Sequence, residues 1–219
     1  FTVTVTVNPE PVVADQAIEV CSDQALGIDF GSSSSVAATT YEITALELNG
    51  LTVSAGGAAV NGNALNASDL SDDAFTNQTP SPVNVVYTVV PFTSAGCAGD
   101  SFTVTVTVNP EPVVADQAIE VCSDEALGYT LLGDIDTPAV ATYNLTNIES
   151  NGLAGASGNQ VVADGLSADA LQGDVWTNET SSPVDVVYTL TPVGDNGCFG
   201  DPFTVTVTVN PEPVVADQA

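Results

Sequence analysis

The stretch FTVTVTVNPEPVVADQA occupies residues 1–17, returns unchanged at 102–118 and returns again at 203–219. Identity at a period of 101 residues restricts the chain to tandem copies of one domain-sized fold, because every copy joins the next through the same peptide. The cysteines keep the period, Cys21 with Cys122 and Cys97 with Cys198. Because the chain opens and closes inside the motif and has no Met, the expectation is a window on a longer array. Residues 1–9 are then the last strand of a preceding repeat, 10–110 and 111–211 two complete copies, and 212–219 the start of a following one.

In FTVTVTV the apolar period is two. Phe102, Val104, Val106 and Val108 share one face and Thr103, Thr105 and Thr107 the other, the pattern of a half-buried strand. Asn109-Pro110-Glu111-Pro112 ends it, since two prolines remove ladder donors and favour an extended, stiff backbone. The run PVVADQAIEVC predicts the next strand, and SD(Q/E)ALG a turn into another near 27–30 and 128–132. Further strands are predicted at 39–48, 51–54, 141–149 and 160–163. SPVNVVYTVV (81–90) and SPVDVVYTLT (182–191) alternate again, and a glycine-rich hairpin leads each back to the Phe-Thr-Val strand. Six to eight short strands per copy without a helical period match tandem immunoglobulin-like sandwiches of two antiparallel sheets. The seam is conserved between copies, residues 1–23 being identical to 102–124, while 28–81 and 129–182 diverge at equal length. Identical seams predict uniform steps and an extended, regular array.

The chain has no Lys, Arg or His against 28 Asp plus Glu. Such a surface cannot neutralise phosphates, so nucleic acid and anionic lipid are excluded as partners. No apolar run is long enough for a membrane span, and direct membrane insertion is not expected. Two cysteines per copy, 76 residues apart, suit an exported disulfide framework better than a cytosolic redox or zinc motif.

AIEVCSD near the start of a copy, SPVxVVYTxxP within it and GCxGxxFTVTVTVNP at its end resemble the PKD-like, immunoglobulin-like repeats of giant Bacteroidota cell-surface adhesins, including gliding adhesins. The resemblance implies a type 9 secreted, extracellular filament that carries adhesion during gliding motility, with neighbouring repeats as partners and an external surface or polysaccharide contacted through other parts of the protein. It supplies no catalytic or cofactor-binding residues.

The cysteines offer three readings. One bridge per copy, Cys21 to Cys97 and Cys122 to Cys198, is the first. A first strand long enough to carry Cys21 to the far end of its domain gives the second, Cys21 to Cys198, and free thiols are the third; a Cα–Cα distance beyond about 7 Å excludes a pairing. The carboxylates read first as a solvated acidic surface. Calcium is the alternative cofactor, with oxygen ligands from Asp15, Asp72, Asp73, Asp116, Asp134 and Asp136, and further candidates in Asp69, Asp164, Asp169, Asp174, Glu10 and Glu111. Without His, Lys or Arg, general acid or base work falls to carboxylates, Tyr or Cys, and no catalysis is expected. The threonine face suggests ordered water or an edge open to another strand, beside the plainer role of β-formers on a wet face. Trp176, where the first copy has Phe75, reads as core rather than a sugar platform. The sequons at Asn66, Asn77, Asn144 and Asn178 bear only on a glycosylating host. The missing Lys and Arg remove every trypsin site, so trypsin is expected to leave even the urea-denatured chain at its full 22.1 kDa, as mass spectrometry would show.

Overall fold

The computed structural model describes residues 1–31, 36–54, 62–133 and 138–212, and the chain divides into two units, Phe1–Pro110 and Glu111–Ala219. The first holds β1 (Gln16–Cys21), β2 (Thr40–Glu47), β3 (Thr52–Val53), β4 (Gly62–Leu65), β5 (Phe75–Thr76), β6 (Val83–Phe92) and β7 (Phe102–Asn109). The second repeats it as β8 (Gln117–Cys122), β9 (Val140–Glu149), β10 (Ala154–Gly155), β11 (Ala163–Leu166), β12 (Trp176–Thr177), β13 (Val184–Gly194) and β14 (Phe203–Asn210). Each unit has a five-stranded sheet, β1-β7-β6-β2-β4 and β8-β14-β13-β9-β11, and a two-stranded one, β3-β5 and β10-β12. Among the described residues there is no helix, and none could therefore cross a membrane.

β7 is built as its sequence predicts. Phe102, Val104, Val106 and Val108 are buried, and the threonines between them are half-buried. Each such side chain removed from water contributes on the order of 1.5–3 kcal/mol. With Val85, Tyr87 and Val89 of β6, Tyr41 and Ile43 of β2, and Phe30, Leu70 and Phe75 from the opposite layer they form one core. Val104, Val106 and Val108 are 0% exposed, while the identical Val3, Val5 and Val7 are 70%, 77% and 86% exposed, because residues 1–7 have no sheet around them.

Four sequence expectations are corrected. The sheets are not wholly antiparallel: β1 runs parallel to β7 from Gln16↔Val104 to Cys21↔Asn109, and β8 parallel to β14 from Gln117↔Val205 to Cys122↔Asn210. The threonine strand is also no edge, since β7 lies between β1 and β6; the outer strands are β1 and β4. The segments predicted as strands at 27–30 and 128–132 lie outside any strand, and each opens on a left-handed glycine, Gly27 at φ 61° and Gly128 at φ 57°. Leu26, Gly27 and Phe30 N–H donate to the carbonyls of Asp73, Ser71 and Ala67, bonds spaced too irregularly for a ladder because 67–72 is a run of turns. The strand expected at 160–163 forms later, at Ala163–Leu166. The β2–β3 and β9–β10 connections are Asn-Gly turns with both residues left-handed, Asn49 at φ 49° with Gly50 at 94° and Asn151 at 48° with Gly152 at 90°, and each carries the chain from the five-stranded sheet to the two-stranded one.

The parallel first strand needs a seat for the segment leading into it. A Cβ on Gly99 would lie 2.0 Å from the carbonyl oxygen of Pro11, and one on Gly200 would lie 1.9 Å from that of Pro112. Only glycine fits there. Gly99→Ala and Gly200→Ala are expected to lower stability by about 1–3 kcal/mol in urea unfolding, whereas Gly173→Ala, with nothing within 4 Å of its Cβ, should change it by less than about 1 kcal/mol.

Candidate functional site: the two ends of a unit

The parallel pair gives each unit two distinct ends. At the inlet end lie Pro11, Gly99 and the β6–β7 hairpin, closed by the Phe92↔Ala98 bridge and the Thr93 N–H donated to the Cys97 carbonyl at 3.0 Å. At the outlet end Cys21 stands opposite Asn109, whose side-chain amide donates to Glu19 Oε1 at 2.8 Å. The second unit repeats both, with Val193↔Phe199 closing the hairpin around Cys198, Cys122 opposite Asn210, and Asn210 donating to Glu120 Oε1 at 2.7 Å.

This separates the cysteines of one copy. Phe102 and Asn109 bound one eight-residue strand, so its ends are roughly 23 Å apart at the usual rise, and Cys97 lies beyond the Phe102 end. No bridge can form within a copy. The first sequence reading, Cys21 to Cys97 and Cys122 to Cys198, is therefore corrected: Cys97 and Cys122 are free thiols, and Cys21 and Cys198 are each disulfide-bonded.

The carboxylates are mostly engaged internally. Asp15 Oδ1 accepts the Thr103 N–H at 2.6 Å, and Asp116 Oδ1 accepts the N–H and hydroxyl of Thr204 at 2.6 and 3.0 Å. Each carboxylate thus satisfies the backbone at the start of the last strand, and the Thr103 bond holds the Asp15 carboxyl below its ordinary value. Asp73 is buried and accepts the Tyr87 hydroxyl at 2.7 Å. Asp174, also buried, accepts the Gln160 N–H and the Tyr188 hydroxyl, both at 2.7 Å, while Trp176 Nε1 donates to the Tyr188 hydroxyl at 2.7 Å. Burial, reinforced by the adjacent carboxylate, raises both Tyr87 and Tyr188 far above the ordinary phenol range. Asp72, Asp164 and Glu10 are exposed, Asp69 accepts the Asn66 N–H, and Asp169 accepts the Ser167 hydroxyl. Asp134 and Asp136 lie outside the described residues. None of Asp15, Asp72, Asp73 and Asp116 belongs to a cluster of three metal-ligating side chains among the described residues.

Two sequons have a structural use that the sequence did not reveal. The Asn77 amide donates to the carbonyls of Val108 and Ser81 at 2.8 and 3.1 Å, its oxygen accepts from Thr79, and its N–H donates to Ser22 Oγ. Asn178 does the same with Val209, Ser182, Thr180 and Ser123. The N-x-T spacing serves this turn at the outlet end. Trp176 fills the core, stacking edge-on to Tyr188 and fitting beside Gly155, where a Cβ would meet the indole at 3.1 Å.

The fold and its two-ended units define a tandem all-β sandwich protein. The PKD-like domain family matches residues 18–112 and 119–213, and the chain belongs to that family. No curated protein matches it. Among solved structures, the fibronectin(III)-like modules of Clostridium thermocellum CbhA align at 11% identity over 94% of this chain and 96% of theirs, with a TM-score of 0.30. Human protocadherin-24 EC1-2 aligns at 12% over 95% and 100% with a TM-score of 0.30, and the D00-D0 domain of intimin at 11% over 91% and 98%, also at 0.30. Family membership rests on the family match alone.

Asp174 supplies a pH test. Burial raises its carboxyl above the ordinary carboxylate value, so between the ordinary and the raised value the folded state holds a proton that the unfolded state releases. Its contribution is therefore fully present below the ordinary carboxylate value and lost as pH rises through the folded one. Relative to Asp174→Asn, the wild-type chain is expected to gain stability as pH falls from 7 toward 4; thermal unfolding of both proteins across that range reads the difference.

Proposed function

We propose that the chain is a load-bearing spacer, a run of sandwich copies in the stalk of an extracellular adhesin filament of the Bacteroidota surface type, exported by type 9 secretion and serving adhesion in gliding. PKD-like domains are typically extracellular, non-catalytic modules. The observation that carries the reading is the parallel pairing of β1 with β7. A copy is entered at one end and left at the other, so each adds its length to the whole. Tension between inlet and outlet pulls these two strands in opposite directions along their axes and loads all their ladder bonds together, the arrangement in which a ladder resists force best. Residues 1–9 repeat the sequence of the last strand of a copy, and 10–110 and 111–211 are read as the two complete copies.

The acidic surface adds mutual repulsion between filaments. Partners in this role are neighbouring repeats, with external surfaces or polysaccharide met elsewhere in the protein. Asp15 and Asp116 each commit one carboxylate oxygen to the backbone of the last strand. Small-angle scattering on chains of two, three and four copies tests the reading: the largest dimension should grow by about 30–45 Å per copy, the length of a strand bundle plus joint, and stay the same in chelator. A dimension that stops growing, or saturable binding on a glycan array, would replace the spacer with a binding module.

A further inference from the structure

An Asn-Gly-Leu triplet stands at 49–51 and again at 151–153, inside the stretches where the two copies otherwise diverge. We propose that Asn49 and Asn151 are modification sites, each deamidated through attack on its side chain by the backbone nitrogen of the following glycine. The folded unit holds the reaction off and an opened unit lets it proceed, so each unit keeps a one-way chemical record of having unfolded. Glycine offers the ring closure least hindrance, because it has no Cβ beside its nitrogen. Both Asn-Gly pairs are exposed to water and base, so protection falls to conformation. The proposal concerns the closed and open states of a single unit and needs no load.

Three restraints set that conformation in each unit. The Leu51 N–H donates to the Leu48 carbonyl at 3.0 Å across Asn49 and Gly50, and the Leu153 N–H donates to the Ser150 carbonyl at 3.0 Å across Asn151 and Gly152. With positive φ at both central residues, these are type I′ turns. The ψ of the first central residue is then about +30°, which keeps the glycine nitrogen away from the Asn Cβ, whereas a five-membered ring needs that nitrogen turned over Cβ to face Cγ. The side chain is pinned as well: Asn49 Nδ2 donates to the Asn84 carbonyl of β6 at 2.8 Å, and Asn151 Nδ2 to the Asp185 carbonyl of β13 at 2.8 Å. Leu51 and Leu153, the residues after each pair, are buried in the two cores, so the turn cannot rearrange without lifting a leucine out.

In an opened unit the Gly50 nitrogen, on losing its proton to base, adds to Asn49 Cγ. The Cγ–Nδ2 bond breaks, and Nδ2 takes up a proton and leaves as ammonia. Water then opens the succinimide at either carbonyl, giving aspartate or isoaspartate; one water is consumed, one ammonia is released, and no electrons change hands. Asn151 and Gly152 react in the same way. The product cannot remake the native contact, because the Nδ2 donor has become an acceptor-only carboxylate facing a carbonyl oxygen, and isoaspartate places an extra backbone carbon inside the turn.

Incubating the 219-residue chain in mildly alkaline buffer, native or in guanidinium, then cutting it with a Glu-specific protease and localising the amide-to-acid mass shift by fragmentation, tests the gate. The shift is expected to accumulate at Asn49 and Asn151 in the denatured chain and at least about tenfold more slowly in the native one, where only the opened fraction reacts. Similar rates in both states, or no shift at these positions in the denatured chain, would overturn the proposal. Asn49→Asp and Asn151→Asp, standing in for the product, give the second readout. Each should lower the thermal midpoint of its unit by about 4–8 °C, and an unchanged midpoint removes the one-way record. Neither failure touches the spacer reading, because the scattering increment per copy is measured on the unmodified chain.

Discussion

The structure depends on a strand pairing in parallel with the last strand of its own copy. Had β1 paired antiparallel to β7, the chain would enter and leave a unit at the same end. Parallel pairing separates the ends by a full strand, and every directional property follows. The inlet segment is seated on a hairpin glycine, the outlet is tied by Glu19 and Asn109, and the two cysteines of a copy are kept from each other.

A second constraint comes from charge. With no Lys, Arg or His in 219 residues, no side-chain ion pair is available to a buried or half-buried carboxylate, and the protein answers with neutral donors. Tyr87 and Tyr188 serve Asp73 and Asp174, backbone N–H groups of Thr103 and Thr204 serve Asp15 and Asp116, and Asn109 and Asn210 serve Glu19 and Glu120. Hydrogen bonds of this kind to an ionised acceptor are stronger than neutral ones and are screened less by salt when buried. The acidic composition that keeps surfaces apart is thus compatible with a core whose few carboxylates are individually satisfied.

The strands easiest to read were those with one wet face. FTVTVTVN, SPVNVVYTVV and SPVDVVYTLT alternate cleanly, and their burial follows the alternation residue by residue. Segments of the opposite layer were harder. Residues 27–30 and 128–132 carry β-formers but face turns at 67–72 and 168–173, so they form no regular ladder. Asn77 and Asn178 looked like surface sequons because Asn-x-Thr is also the pattern of a turn that bonds its own backbone. Only burial distinguishes the two. The acidic candidates were misleading for a similar reason: a list of Asp residues does not say that Asp15 lies beside Thr103, 88 residues away.

Sequence alone determined the period, the all-β class, the exclusion of phosphate-bearing partners and the alternation of the main strands, because each depends on composition or on spacing along the chain. The tertiary structure decided the direction of the first strand, the engagement of Asp73, Asp174, Asn77 and Asn178, and the separation of Cys21 from Cys97. Those depend on which strand lies beside which and in what sense, and a strand of alternating residues pairs equally well either way until the rest of the fold fixes its direction.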